Sequence, residues 1–265
     1  MRELVIIEKQ NEKQIAYVED GILKEYYKEQ EDKKRLEGNI YAGKVVDVLP
    51  GMQAAFVDIG EEKNAFLHIR DVLPKKSNIT GNKEEDLEQY KIKDYIKPNQ
   101  IILLQVKKDT TGTKGARVST NIQIPGRFVI ILPENNFITV SQKIENEEER
   151  NRLIDIVNKI KKDRKIGIIV RTAAEGKQES DIEKDIENAI KKLDNIQSEF
   201  NKVKDNNKPI IIQKSDTILE KLLLDLTDNN LDKIWVNSKK IKEAIQNILK
   251  QIQDDSEIII EYQEK

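Results

Sequence analysis

The chain has 265 residues, 35% charged and 37% hydrophobic, with 46 basic against 48 acidic side chains and a formal net charge of -2. That balance gives no overall pull toward nucleic acid or an anionic surface, so any basic footprint has to be local. The absence of cysteine excludes disulfides, a thiol nucleophile and cysteine-ligated metal sites, and a single histidine, His68, excludes a His-based triad or a multi-histidine metal centre.

The length suits one large domain or a few small ones. The N-terminal MRELVIIEKQ lacks an apolar signal core, and no apolar run approaches the roughly 18 residues of a membrane span, so a soluble cytoplasmic protein without membrane contact is expected. Residues 2–8 (RELVIIE) and 14–18 (QIAYV) read as strands joined by a polar turn, and Asp20-Gly21 turns the chain into a third run, Ile22 to Tyr27. So few strands need a partner elsewhere in the chain. A charged link, Lys28 to Glu37, leads into residues 39–72. There Val45–Val48, Ala54–Ile59 and Ala65–Ile69 are short β-type runs punctuated by Pro50-Gly51 and Gly60-Glu61-Glu62. The polar segment from Leu73 to Asp94 reads as a long loop. Lys97–Gln100 turns into a strong strand, Ile101 to Val106, and a basic, glycine-containing loop, Lys107 to Gly115, precedes Arg117–Thr120. The strands between residues 38 and 118 fit an OB-type barrel.

Beyond it, Gly126–Leu132 and Phe137–Val140 read as a hairpin across Pro133–Asn136. Ile144 to Lys162 is a helix with Leu153, Ile156, Val157 and Ile160 on one face, and Ile166–Arg171 is a buried strand. Ser180 with Glu183 reads as a capping box for a long helix that carries an apolar stripe from Ile182 to Val203. From Pro209 the order becomes β-α-β-α-β, with strands at Ile210–Ile212, Lys233–Val236 and Ile258–Tyr262 and helices at Thr217–Leu226 and Lys239–Gln253. Such alternation implies parallel pairing, and the N-terminal hairpin would complete that sheet, splitting one domain around the others. The fold class expected is mixed α+β.

Candidate chemistry is local. Phe56 and Phe66 stand close to Lys44, Lys63 and Arg70 along the chain, and from Gly38 to Val118 there are 13 basic against 11 acidic residues. By pattern alone Phe56, within AAFVDI, reads as core, and Phe66 reads equally as core or surface. The Gly112–Gly115 loop with Lys114 has amides and an ammonium that could meet phosphate, though such a loop is usually just a hairpin. For Arg171, at a strand end, a surface ion pair is the plain reading. Asp47, Asp58 and Asp71 read as structural, His68 as a barrel-rim residue, and the runs Glu84-Glu85-Asp86 and Glu147-Glu148-Glu149 as solvated faces.

Four blocks, NIYAGKVVDVLPGMQAAFVDIG, NAFLHIRDV, KGARVSTNIQIPGRFVIILP and GIIVRTAAEGK, stand in an order and spacing that resemble the N-terminal half of the bacterial ribonuclease E/G family. The resemblance covers residues 1 to about 180 well, and the rest fits mainly by pattern. It implies an S1-type OB β-barrel (38–118) inserted in a split RNase H-like α/β domain (1–37 and 209–265), plus an α/β 5′-sensor subdomain (119–208). It assigns Phe56 and Phe66 to base stacking and Lys44, Lys108 and Lys114 to RNA phosphates, while Ile59 falls where some members carry a further aromatic. It likewise assigns Arg171 and Thr172 to a 5′-terminal phosphate, with Gly126 and Ile130 lining that pocket; a guanidinium fork beside a hydroxyl suits a phosphomonoester.

The function implied is the portion of an endoribonuclease that binds single-stranded RNA and senses a 5′-monophosphate, in RNA processing, including rRNA processing, and mRNA decay. The family's nuclease domain, with paired aspartates holding magnesium and a cysteine-containing segment binding zinc between subunits, would follow Lys265. No catalytic residue, metal site or cofactor is therefore expected within residues 1–265, and a homo-oligomer is expected only of a full-length enzyme. The alternative is a stand-alone, non-catalytic adaptor for single-stranded RNA.

Overall fold

The computed structural model describes residues 1–10, 12–30, 35–73, 89–226, 231–251 and 258–263. The chain opens with β1 (Arg2–Lys9), β2 (Glu12–Glu19) and β3 (Ile22–Gln30). Next come β4 (Ile40–Leu49), β5 (Ala54–Asp58), β6 (Ala65–His68), the one-turn helix α1 (Ile92–Tyr95), β7 (Ile101–Lys108) and β8 (Arg117–Ser119). They are followed by β9 (Ile124–Pro125), β10 (Val129–Pro133), β11 (Ile138–Val140), α2 (Glu147–Lys161), β12 (Ile166–Val170) and α3 (Glu179–Val203). Last are β13 (Ile210–Gln213), α4 (Ile218–Leu226), β14 (Lys233–Val236), α5 (Lys239–Gln251) and β15 (Ile259–Tyr262). Two compact units result, Met1–Arg35 with Asp216–Lys265, and Leu36–Ser215. The mixed α+β class read from the sequence is what these elements form.

The first unit is a sheet of order β15-β14-β1-β2-β3. β1, β14 and β15 run parallel and β1, β2 and β3 form an antiparallel meander. Alternation along β1 turns Leu4 and Ile6 to one face, where they join Ile15, Ile234, Leu223 of α4 and Ile245 of α5, all fully buried in one cluster. β3 continues to Gln30, past the strand end read at Tyr27, because Lys28 pairs with Glu12 and Lys13 with Glu29 across the β2–β3 ladder. Lys28 to Gln30 of the charged segment is thus strand, and residues 31–34 of it lie outside the described residues.

In the second unit β4, β5, β6, β8 and β7 close into a barrel, β7 pairing back onto β4. Val45, Ala55, Val57, Ala65, Leu67, Leu104 and Val118 fill it with no exposed area, and Ile92 of α1 plugs the same core. A four-stranded sheet of order β11-β12-β10-β9 packs α2 and α3 on a second core, which Ile40 and Leu103 of the barrel strands also enter.

Three local expectations are corrected here. β10 and β11 are not a hairpin: β12 lies between them, antiparallel to β10 and parallel to β11. IGIIV is the segment buried along nearly its whole length, so it takes the central place, where both neighbours supply hydrogen bonds and cover. Ile210–Gln213 does not lead a parallel β-α-β-α-β sheet; it pairs antiparallel with Ile40–Ala42 of β4 in the second unit. The long helix starts at Glu179 behind Gln178, with no side-chain cap, so Ser180 is not its N-cap. Glu179 and Asp181 in the first turn meet the helix dipole instead.

Candidate nucleic-acid interface

Burial alternates from Ala55 to Asp58 in β5 and throughout β6, with Ala54 buried as well. Ala55, Val57, Ala65 and Leu67 face inward with no exposed area, while Phe56, Asp58, Phe66 and His68 are half-buried on the outer face. Phe56 is therefore not core, contrary to its reading by pattern: in AAFVDI Ala55, Val57 and Ile59 carry the inward positions, which leaves the phenyl ring outside. Phe56 and Phe66 are cross-strand partners with ring centres 6.1 Å apart, edge to face. Across the sheet Phe66 is in register with Arg117 of β8, and Arg117 with Lys108 of β7. Two aromatics and two cations thus form one continuous row on an outer face.

Lys44, half-buried on β4, lies opposite Asp58, one side-chain step along β5 from Phe56. Lys114 is not in the row. It sits exposed in a turn closed by its pairing with Thr111, and the ammonium of Lys63 donates to the Gly112 carbonyl of that turn at 2.6 Å. Gly115 ends the turn hard against the chain, where a Cβ would stand 2.0 Å from the Asn64 carbonyl oxygen.

Arg117 was not singled out by sequence; only the register reveals it. Its guanidinium reaches Asp71 Oδ2 at 2.8–2.9 Å. Asp47 accepts from the Val48 N–H and Asp58 from the Gly60 N–H, both at 2.8 Å, so these three aspartates hold turns and an ion pair.

The second cluster lies where β10 begins and β12 ends. Arg171 Nη1 donates to the carbonyls of Gly126, at 3.0 Å, and Arg127, at 3.3 Å. Its backbone N–H reaches the Phe128 carbonyl. Arg171 is thus seated on backbone carbonyls rather than resting in a surface ion pair alone. Thr172, exposed, shares a hydrogen bond of 3.0 Å with the Ser141 hydroxyl. Ile130 is opposite Ile169 in the β10–β12 ladder, two residues along from the Phe128 bond. The structure brings Gly126 and Arg171 into contact and sets Thr172 beside Arg171 along the chain, with Ile130 further down the strand.

What sequence reasoning missed is Asp185 of α3. Its carboxylate accepts from the N–H groups of Arg127, Phe128 and Val129 at 2.9, 2.8 and 3.1 Å. Burial pushes its pKa above the ordinary carboxylate value, against the opposing pull of those three N–H groups and of Arg171. Gly126 has no Cβ because that atom would meet this carboxylate at 2.5 Å. The available signal was an acid one step from Ile182, Ile186 and Ala189 on a stripe that packs into the core. Cations gather around the segment: the guanidinium of Arg127 lies 5.3 Å and the ammonium of Lys177 6.0 Å from the centre of the Phe128 ring.

Glu149 is not merely solvated. It takes both a bidentate bond from Arg152, at 2.6 and 2.7 Å, and the N–H of Gly176 at 2.8 Å. That N–H belongs to a glycine with φ +69°, in the loop that follows Thr172. The Glu84–Asp86 run lies outside the described residues. Among the described residues no three His, Cys, Asp or Glu side chains are grouped so as to hold a metal ion, and no described helix is long and apolar enough to cross a membrane.

Residues 123–265, which include the Arg171 cluster, match the model of the Ribonuclease E/G family. Ribonuclease G of Haemophilus influenzae is 38% identical over 248 residues, 92% of this chain and 50% of that protein. Ribonuclease G of Escherichia coli is 37% identical over 247 residues, 92% of this chain and 49% of that protein. Ribonuclease E of a Nostoc species is 37% identical over 215 residues, 79% of this chain and 30% of that protein. The chain spans about half the length of the ribonuclease G relatives it matches.

Proposed function

The chain belongs to the ribonuclease E/G family, and from that premise we propose that residues 1–265 are its RNA-holding portion, which clamps single-stranded RNA on the barrel and reads a 5′-monophosphate at Arg171 and Thr172. The barrel is read as S1-type, the first unit as RNase H-like, and the α2–α3 layer with its sheet as the 5′-sensor. The observation that carries this reading is the row Phe56–Phe66–Arg117–Lys108, which sets sequence-tolerant stacking surfaces beside cations for the backbone. Phe56 and Phe66 take bases, and Lys44, Lys108 and Lys114 take phosphates. At the 5′ end the guanidinium of Arg171, held by the Gly126 and Arg127 carbonyls, supplies the positive charge that answers the extra charge of a terminal monoester.

RNA cleavage in RNA processing and decay, in the cytoplasm, is the activity this portion serves. The magnesium that family cleavage requires, and the zinc link between subunits, are assigned to the part of the family protein that these residues do not match. Their role here is to bind and orient.

The test is fluorescence anisotropy with one single-stranded oligoribonucleotide bearing a 5′-monophosphate, triphosphate or hydroxyl. The monophosphate is expected to bind tightest, Arg171→Ala to erase that preference, and Phe66→Ala to weaken all three alike. An Arg171→Ala variant that keeps the preference overturns the sensor reading. Magnesium-dependent cleavage by this chain alone overturns the assignment of cleavage to the unmatched part.

A further inference from the structure

The hydroxyl of Thr172 has one hydrogen-bond partner among the described residues, Ser141 Oγ at 3.0 Å. The two residues come from different strands. Val140 of β11 is in parallel register with Val170 of β12, so the chain leaves both strands side by side and in the same direction. Ser141 is held there by its own backbone. Its N–H donates to the Val170 carbonyl at 2.9 Å, and Arg150 Nη1 of α2 donates to the Ser141 and Ile144 carbonyls at 2.9 and 3.0 Å. Its Oγ also accepts the backbone N–H of Lys143 at 3.3 Å.

That inventory bears on where the hydrogens go. A hydroxyl has one hydrogen to give and two lone pairs to offer. Lys143 takes up one lone pair of Ser141, and its hydrogen remains to be given. If Ser141 donates to Thr172 Oγ1, the threonine keeps its own hydrogen for a ligand. If Thr172 donates to Ser141, that hydrogen is spent inside the protein. The oxygens of a phosphate dianion only accept, so such a ligand binds to the first arrangement, whereas a 5′-hydroxyl both gives and accepts and is served by either.

We propose that Ser141 is a positioning residue of the 5′-phosphate site, donating to Thr172 Oγ1 and so committing the threonine hydrogen to a terminal phosphate. This rests on the reading of Arg171 and Thr172 as the sensor, and it brings in a residue of a second strand that no motif supplied. Arg171 answers the charge of the ligand, and the Ser141–Thr172 pair answers its lack of a donor. Selection by charge is thereby joined to selection by hydrogen-bond direction. Arg150 has its part through the Ser141 carbonyl, which fixes the serine before any ligand arrives.

The experiment measures binding of the full 265-residue chain to one single-stranded oligoribonucleotide with a 5′-monophosphate or a 5′-hydroxyl. The quantity read is the ratio of the two affinities, which a general loss of stability does not move. Ser141→Ala is expected to lower that ratio about fivefold, the effect of one hydrogen bond. Ser141→Thr, which keeps a hydroxyl, is expected to restore it. Thr172→Val is expected to lower it at least as far, and adding Ser141→Ala to Thr172→Val to change nothing more, because the serine acts through the threonine. Circular dichroism verifies that each variant is folded. A folded Ser141→Ala that keeps the wild-type ratio while Thr172→Val loses it overturns the proposal, and so do losses that simply add in the double variant. If Arg171→Ala and Thr172→Val both keep the ratio, the sensor reading itself fails and the proposal with it, a result distinct from the other two.

Discussion

Asp185 and Arg171 hold the same two peptide units from opposite ends. The carboxylate takes the N–H groups of Arg127 and Phe128, and the guanidinium takes the carbonyls of Gly126 and Arg127. Each peptide dipole is aligned between an anion and a cation, which strengthens both bonds. In Asp185→Asn the amide either faces the Phe128 and Val129 N–H groups with a donor or abandons Arg127. A loss of about 1–3 kcal/mol in chemical denaturation is expected. The pH dependence has a definite sign. The fold raises this carboxyl's pKa, so its protonated form is favoured on folding, and that contribution is lost as pH rises from about 4 through the raised value. The Asn variant is expected to show a flatter stability profile over that interval.

Gly115→Ala puts a methyl group where the Asn64 carbonyl already stands. The strain of moving backbone is expected to cost about 1–3 kcal/mol in urea denaturation. RNA affinity is expected to fall with it, because the same turn presents Lys114.

Phe66 and Leu67 are neighbours with opposite roles. Leu67 has no exposed area, and Leu67→Ala is expected to cost about 2–5 kcal/mol of stability. Phe66→Ala, at a half-buried position, is expected to cost less than that and to lose roughly 1–3 kcal/mol of RNA binding instead. Paired thermal melts and RNA titrations of both variants test the assignment of faces.

Much of this was legible because periodicity reports on local structure. The barrel strands, α2, α3 and the outward or inward setting of β6 follow from spacing once the inward residues are known. What local pattern cannot carry is which strand pairs with which. PGRFVIILPENNFITV reads as a hairpin, since nothing in it says that IGIIV will enter between its arms. The site divides the same way. Phe56, Phe66 and Arg171 lie in recognisable blocks, whereas Arg117 joins the row through cross-strand register and Asp185 reaches its three N–H donors from more than fifty residues away.

Glu149 ties α2 to the loop after Thr172, and its pKa is lowered chiefly by the Arg152 bond and further by the Gly176 N–H. A depressed carboxylate contributes stability above its unfolded value of about 4.3 and loses it as pH falls through the folded one. Glu149→Gln is expected to lower the melting temperature at pH 7 and to narrow its gap to the wild type as the pH approaches 3. Loosening of the Thr172–Gly176 loop is also expected, as faster amide hydrogen exchange at Gly176.

The chain enters its second unit through Ile40–Ala42 and leaves it through Ile210–Gln213, and those two segments are hydrogen-bonded to each other. The Ser215 N–H closes the gap onto the buried Asn39 side chain at 2.7 Å. For the folding of the flanking strands, this replaces a long closed loop by a short bridge. The sequence separation between β1 and β14, which would make their parallel pairing slow, collapses once the intervening residues have folded. Residues 36–215 are accordingly expected to fold when expressed alone, and β1–β3 to pair with β14–β15 when a short glycine-serine linker joins Arg35 to Asp216. The insert behaves toward its host as a prefolded turn.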